Sequence, residues 1–276
     1  MEAGRVSLES RINALEHLVQ LALARGAAVT DLSPGNQSLD AFHRQRVSQP
    51  LALFSSKLLY DAQPIVWDDQ QTSGGGTSST FLANQAAVQM AVAGNVAGTR
   101  VRQSFQRLNY QPGKSQLFLG TGVLVAEGAP GVAGVVRRIG QFDQDNGYFF
   151  QASGALGAAA VVVRSSVSGA PVDTVIPQAS WNLDKMDGTG PSGITLDLSK
   201  IQIFVIDYQW LSAGQIRFGF DGPGRITYVN LGQPPFLTNV PFGFNIAGDP
   251  SVVVLAIQEF AGPTTFSGSF NWREQT

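Results

Sequence analysis

The chain has 276 residues, of which 43% are hydrophobic and only 14% charged, with a formal net charge of −2 at pH 7. That length can bury the core of one large β domain or two smaller ones, and the near-neutral charge gives no electrostatic reason to expect a nucleic-acid partner. The absence of cysteine excludes disulfides and thiolate metal sites.

Thirty-one glycines and 14 prolines in a chain of low charge make a turn-rich β composition. The N-terminus has no charged start followed by an apolar run and a small-residue cleavage site, and no apolar run approaches the ~20 residues of a membrane-spanning helix. The expectation is a soluble product released in the cytoplasm of the cell that makes it, with no membrane partner.

Leu8 to Arg25 reads as a helix. Ser7 is placed to cap it, Glu9 lies in the first turn, and Gly26 offers a stop. Leu8, Ile12, Leu15, Val19 and Ala22 recur at spacings of 4, 3, 4 and 3, the a/d pattern of a coiled coil. Leu18, Leu21 and Leu23 broaden the stripe. A helix of about 15 residues is marginal alone in water, so this one packs either on its own domain or on a partner. Its separation from the rest by a polar arm favours the second, with Leu8, Ile12, Leu15 and Val19 as oligomerisation or anchoring residues. The arm, Ala27 to Gln49, lacks strand periodicity and carries Pro34-Gly35-Asn36 and the basic pair Arg44 and Arg46. That pair either bridges to a neighbouring subunit or is simply solvated. Two regions result: residues 1–46, helix and arm, and residues 47–276, a β domain.

From Pro50 onward short apolar runs alternate with turn residues. Leu51 to Phe54 and Ile65 to Trp67 are broken by Pro64 and by Asp68-Asp69, and Thr72 to Thr80 is a flexible low-complexity loop by composition. Phe81 to Ala91 is compatible with a helix by propensity, but Asn84, Gln85 and Gln89 also fit an alternating strand, and the context favours the strand. Arg100 to Asn109 and Ser115 to Val125 flank a Pro112-Gly113 turn signal, a strand–turn–strand unit. Val132 to Phe142, Tyr148 to Phe150, Ala158 to Arg164, Pro171 to Pro177, Ile194 to Leu198, Arg225 to Leu231 and Ser251 to Phe260 continue the series.

Its centre is Ile201 to Tyr208, apolar on both faces, with Phe204, Ile206 and Tyr208 on one and Val205 and Asp207 on the other. Gln215 to Phe220 alternates after a Gly-containing turn and forms a hairpin with it. Asp207 in mid-strand is unusual, and Arg217 is its plausible cross-strand partner. The fold class is therefore all-β, a jelly-roll-like antiparallel sandwich preceded by an N-terminal α-helix and extended arm. The last ~45 residues either complete that sandwich or cross to a neighbour.

Catalytic signatures fail one by one. Gly113-Lys114-Ser115 lacks the earlier glycine of a phosphate loop, with Leu108 in its place, and Pro112 removes a needed amide. His17 and His43, the two histidines, have no ligand spacing. Asp143-Gln144-Asp145-Asn146-Gly147 is turn chemistry without the glutamate of a calcium loop. Trp67, Trp181, Trp210 and Trp272 are candidates for a sugar platform but read more simply as core or interface anchors. The expectation is no enzyme, no cofactor and no metal.

Several ordered motifs carry a likeness. Arg102 to Leu124, Arg138 to Asp143, Asn146 to Phe150, Val161 to Arg164 with Ser168-Gly169, Gln178 to Lys185, Ser192 to Leu211 and Ile216 to Phe220 together resemble a widespread group of tailed-bacteriophage virion proteins. The resemblance spans roughly Pro50 to Tyr228 and leaves out the helix, the arm and the chain after about Leu231. It implies a virion component assembled in the host cytoplasm and placed on the capsid surface. The expected role is a homotrimeric capsid decoration (cement) protein with the major capsid protein and itself as partners. The trimer rests on this resemblance, since β-branched residues at a with leucine at d favour a dimer. The alternative is a head or tail fibre whose β domain binds a host surface glycan at the tip of a helical stalk. A glycan-cleaving depolymerase, the third class, needs clustered carboxylates that the sequence does not display.

Overall fold

The computed structural model describes residue 40, residues 51–93, 96–108, 114–125, 134–154, 159–209, 215–222 and 225–232, and the backbone of 253–259 and 264–274. All of these lie in one of the two units into which the chain divides, Gln37–Thr276. The helix expected over Leu8–Arg25 and the arm fall outside the described residues.

The elements are almost all strands: β1 (Leu51–Ser55), β2 (Trp67–Gly74), β3 (Thr77–Leu82), β4 (Ala87–Val92), β5 (Gly98–Ser104), β6 (Ser115–Val123), β7 (Val135–Phe142) and β8 (Gly147–Ser153). They continue with β9 (Ala159–Ser165), β10 (Val172–Pro177), β11 (Gln202–Gln209), β12 (Ile216–Gly222), β13 (Arg225–Gly232), β14 (Val253–Glu259) and β15 (Thr264–Glu274). One sheet has the order β13-β12-β11-β6-β15-β4-β3, with β1 added beside β15; the other runs β10-β9-β8-β7-β14-β5-β2. Every pairing is antiparallel. The molecule is an all-β antiparallel sandwich, as its alternating runs and turn chemistry require.

The inner faces meet through aromatic rings. β11 contributes Phe204, Ile206 and Tyr208, β12 contributes Ile216, Phe218 and Phe220, and β8 contributes Tyr148 and Phe150, all within one buried cluster. Phe150 of the second sheet lies 5.2, 5.5 and 5.0 Å, centroid to centroid, from Phe204, Phe218 and Phe220 of the first. Each such ring contributes about 2–3 kcal/mol by burial, and each favourable ring pair adds roughly 0.5–1.5 kcal/mol. β11 is apolar on its second face as well, where Val205 packs with Leu117 and Tyr228 beneath Leu183.

Leu183 belongs to a segment that also closes the edge of β13. The amides of Leu183 and Asp184 donate to Val229 O at 3.1 and 3.2 Å. Asn182 Nδ2 donates to Leu231 O, and Leu231 N donates to Asn182 Oδ1, both at 2.8 Å. The side-chain amide imitates a peptide unit and occupies an edge that would otherwise invite another strand.

Four expectations are corrected. The run Thr72 to Thr80 is no flexible loop: β2 ends at Gly74 and β3 begins at Thr77. Gly74 and Gly76, at φ 68° and 64°, make the reversal, and Gln71 holds it by donating to Gly74 O and accepting from Thr77 Oγ1. β5 and β6 are strands but not partners, since β5 lies between β2 and β14 and β6 between β11 and β15. After Ser104 the chain leaves its sheet, with Phe105 N donating to Val66 O. The strand read over Phe81–Ala91 is broken by a 3-10 turn, Ala83–Gln85, that ends in Ala86 at φ 48°. Ile194–Leu198 forms no strand beyond a single bridge, Asp187 to Thr195. There Asp184, Asp187 and Asp197 accept from nearby amides at Met186, Thr189 and Ser199, which favours turns over a ladder. Hydrogen bonds from Thr189 and Ser199 hold the Asp187 and Asp197 carboxyls below the usual carboxylate range.

The C-terminal strands complete the sandwich within the chain, β14 between β5 and β7 and β15 between β6 and β4.

Replacing Phe204, which is fully buried, with Asp places an unpaired charge between the sheets, at a cost of several kcal/mol or more; circular dichroism should show no cooperative unfolding. Ile201→Asp, at a 70% exposed position just before β11, should leave the melting curve nearly unchanged. A Cβ at Gly140 would lie 2.4 Å from Tyr148 O and 2.6 Å from Phe149 Cα, so Gly140→Ala should destabilise by about 1–3 kcal/mol, read from denaturant midpoints.

Candidate binding surface

Leu8, Ile12, Leu15, Val19, Arg44 and Arg46, the residues expected to oligomerise or anchor the chain, lie outside the described residues. The other residues singled out from the sequence can be placed. Asp207 and Arg217 are cross-strand neighbours and form a fully buried ion pair. Tyr228 Oη donates to Asp207 at 3.3 Å, and the Arg217 guanidinium lies 4.7 Å from the Tyr228 ring centroid. With no solvent access, Asp207 is part of the packing and is not a catalytic acid.

Trp67 and Trp181 are core residues. Trp67 Nε1 donates to Ser56 Oγ at 2.7 Å and its ring meets Phe54 edge-on, while Trp181 Nε1 donates to Ile176 O at 3.2 Å. Trp210 is outside the described residues, as is the side chain of Trp272. Asp143 accepts from the amides of Asp145 and Asn146 at 2.8 and 2.6 Å, so the Asp143–Gly147 run is a turn. Asn146 Oδ1 accepts from Ser166 N. Among the described residues there is no group of three or more His, Cys, Asp or Glu placed to hold a metal ion. None of the helices there is long and apolar enough to cross a membrane.

The outer face of the second sheet carries a stacked polar cluster. Arg138 and Arg164 each lie 5.3 Å from the Phe149 ring. Arg164 binds both oxygens of Asp173, at 2.7 and 2.9 Å, and Arg138 Nε donates to Gln151 at 2.9 Å. The partners are mutually satisfied, and the cluster lids the small apolar patch of Phe142, Phe149 and Val162.

A site open to solvent forms where both sheets end. β2 closes one sheet and β3 the other. Between them lies a recess of about 370 Å³ whose lining includes Pro64, Trp67, Asp69, Phe81, Arg100 and Phe105. Alternation puts Arg100 and Arg102 of β5 on the same face as Asp69 of β2, which is paired with Arg102 in the ladder. Arg100 Nε donates to Asp69 Oδ1 at 2.6 Å and Arg102 Nη1 to Oδ2 at 2.9 Å. Ser79 Oγ of β3 also donates to Asp69 and ties the two sheet edges together.

Arg102 further donates to Ala62 O and lies over the Trp67 ring at 5.0 Å. Burial pushes its guanidinium below the usual value, hydrogen bonding and charge attraction from Asp69 pull it back up, and Arg100 lowers it again. Asp68 also lines the recess and accepts from Gln70 and Gln103 at 2.9 Å each. Within the recess, then, two guanidiniums share the Asp69 carboxylate, and Asp68 brings a second acid to the lining.

The connection between β1 and β2 forms one wall. Gln63 adopts φ 51°, a conformation that costs a non-glycine residue energy unless its surroundings hold it. They do: its amide donates to Asp61 Oδ1, its Nε2 donates to Lys57 O, and its carbonyl accepts from Val66 N and Trp67 N. This ordered loop lends Ala62 and Pro64 to the recess, which Phe105 also lines, and holds Leu59, Tyr60 and Ile65 in solvent, the last two 91% exposed. Sequence reading missed the site because Asp69, Arg100 and Arg102 are far apart along the chain and only strand register unites them; the i, i+2 spacing of the arginines was the one local signal.

No family model matches the chain, and no curated protein matches it. Solved structures do. An endo-1,3-beta-glucanase from Streptomyces sioyaensis superposes with a TM-score of 0.50 at 9% identity, covering 84% of this chain and 98% of that one. The binding domain of Botulinum neurotoxin DC, in complex with rat synaptotagmin II, gives 0.44 at 8% identity, covering 81% of this chain and 48% of its own. The chain thus spans about half the length of that neurotoxin domain. At such identities the likeness to the glucanase is one of fold.

Asp207→Asn should cost about 3–5 kcal/mol by leaving the Arg217 charge buried and unpaired. The double change Asp207→Leu with Arg217→Met should recover much of that loss, measured by urea unfolding of both variants.

Proposed function

We propose that this chain is a structural protein of a tailed-phage virion, a capsid decoration protein that stabilises the head by binding other proteins. In this reading it is a homotrimer whose Leu8, Ile12, Leu15 and Val19 helix and Arg44–Arg46 arm clasp the shell or one another, and it performs no catalysis. The observation that carries the reading is the ordered, hydrogen-bonded loop that holds Tyr60 and Ile65 almost wholly in solvent. Large apolar side chains held outward on a fixed backbone are what a protein contact uses, since little ordering entropy is then lost on binding.

Two further observations support it. The motifs that resemble virion proteins fall on fold-bearing positions: Gly140 beneath Phe149, Asn146 on Ser166, Trp181 in the core, Asp207 on Arg217. Of the two carboxylates that line the open recess, Asp69 has both oxygens committed to arginines and Asp68 accepts from Gln70 and Gln103, which suits a structural role better than that of an acid or base.

The copy number of the protein in purified virions tests this directly. A number comparable to that of the major capsid protein is expected. A number matching vertices or tail fibres would replace decoration with the fibre reading, and release of reducing ends from host glycans would replace both with an enzyme. Deleting residues 1–46 should leave a cooperatively folding β domain while weakening binding to particles, as followed by co-sedimentation.

A further inference from the structure

A second cavity, of about 180 Å³, lies between the turns that follow β10 and the ends of β12 and β13. The strands contribute Phe220 and Thr227, which are cross-strand neighbours, and the turns contribute Met186, Ile194 and Leu196. Leu196 N donates to Met186 O at 2.8 Å and Gly188 N to Ile194 O at 3.1 Å, so these walls are in place before anything binds. The charged lining residues, Asp197, Lys200 and Asp221, are all exposed, which leaves the interior to apolar groups and one hydroxyl. That hydroxyl belongs to Thr227, which is 8% exposed and whose Oγ1 has no hydrogen-bond partner. A buried hydroxyl in that state is unfavourable, and a ligand group that bonds to it removes the penalty. Rotation about the single χ1 torsion can present it to such a group.

A cavity of about 150 Å³ walled by leucine, isoleucine and phenylalanine holds benzene; one of 180 Å³ has room for a six-membered ring with a small substituent. Apolar walls around a single hydroxyl fit a ring that itself carries a hydroxyl, a phenol. Among the described residues Tyr60 offers that group to solvent. It is 91% exposed on a hydrogen-bonded loop, whereas Tyr148, Tyr208 and Tyr228 are buried. Its own cavity is out of its reach. The cavity belongs to β12 and β13, at one end of the first sheet, while the Tyr60 loop leads into β2, which shares its recess with β3 at the other end. β13 and β3 are six strand spacings apart, roughly 29 Å at ~4.8 Å each.

We propose that Tyr60 of one copy of this chain seats its ring in this cavity of the next copy, with its Oη bonded to Thr227 Oγ1. Such a contact is head-to-tail and closes when the rotation from copy to copy returns to the start. A ring of three is the closed form that matches the homotrimer. The inference rests on the decoration reading for the number of copies and deepens it by naming a self-contact outside residues 1–46.

The experiment is sedimentation equilibrium of the full-length chain. Tyr60→Ala should weaken self-association about a hundredfold. Tyr60→Phe and Thr227→Val should each weaken it about tenfold, equivalent to ~1.4 kcal/mol, and the double variant should associate no more weakly than either, since both changes remove the same bond. Melting curves of the dissociated chain should not move, because Tyr60 is exposed and the Thr227 hydroxyl makes no bond within the chain. In titration calorimetry the Tyr60→Ala chain, its cavity vacated, should bind p-cresol more tightly than toluene. Association indifferent to Tyr60→Ala, or additive effects of Tyr60→Phe and Thr227→Val, would overturn the proposal. Binding of p-cresol by a chain whose association ignores Tyr60 would overturn it in favour of a free phenol or another protein's tyrosine. Tyr60-dependent association in a protein of low virion copy number would keep the contact and remove decoration; high copy number with association that ignores Tyr60 would do the reverse.

Discussion

The sandwich depends on the contact of Phe150 with Phe204, Phe218 and Phe220. It joins the two sheets at their aromatic centre and fixes which face of each strand turns inward. Because side chains alternate with period 2, a one-residue slip of β11 against β6 would turn Phe204 and Ile206 away from the second sheet and put Asp207 between the sheets in their place. The pairing of Phe204 with Gly120 reinforces the register, since a Cβ on Gly120 would collide with the Phe118 ring at 2.6 Å. That ring occupies the space the glycine leaves.

Charge is scarce in this chain, and some of it is spent on buried or half-buried pairs. Asp207 with Arg217, and Asp69 with Arg100 and Arg102, sit at ladder positions where only one register brings the partners together. A buried pair adds little net stability, because desolvation offsets most of the attraction. Its effect is to penalise alternatives, as a slipped strand would strand an ion among apolar groups. Tyr208, within reach of Gln116 and Gln141 from opposite sheets, adds a polar tie across the core, where burial pushes the neighbouring Tyr148 hydroxyl well above its ordinary pKa. Sheets rich in valine and phenylalanine pack in many ways, and these polar ties select one.

Strand identity was largely readable because it is local. Phe204, Ile206 and Tyr208 share a face in the sequence as in the fold, and Arg217 opposite Asp207 followed from counting back across the hairpin. What was not readable is non-local. Nothing within Thr72–Thr80 indicates that Gln71 will bind Thr77 and Gly74 and so order a stretch that looks like a linker. Nothing in Arg100–Val125 says that two strands around a Pro-Gly signal will part into different sheets. Their partners, β14 and β15, lie more than a hundred residues away, and pattern within a window carries no information about such distances. The recess was hidden for the same reason: its two arginines and its aspartate meet only after three strands have found their neighbours.

β14 and β15 occupy interior places in their sheets although they follow every other described strand in the sequence. While the ribosome is still short of residue 253, β5 and β7 face a vacant slot, and so do β4 and β6. A nascent chain in that state has four raw ladders and half a greasy interior on display. The two sheets therefore close only once residues 253–274 have been synthesised, and until then the polypeptide is exposed to cross-pairing with its siblings on the same messenger.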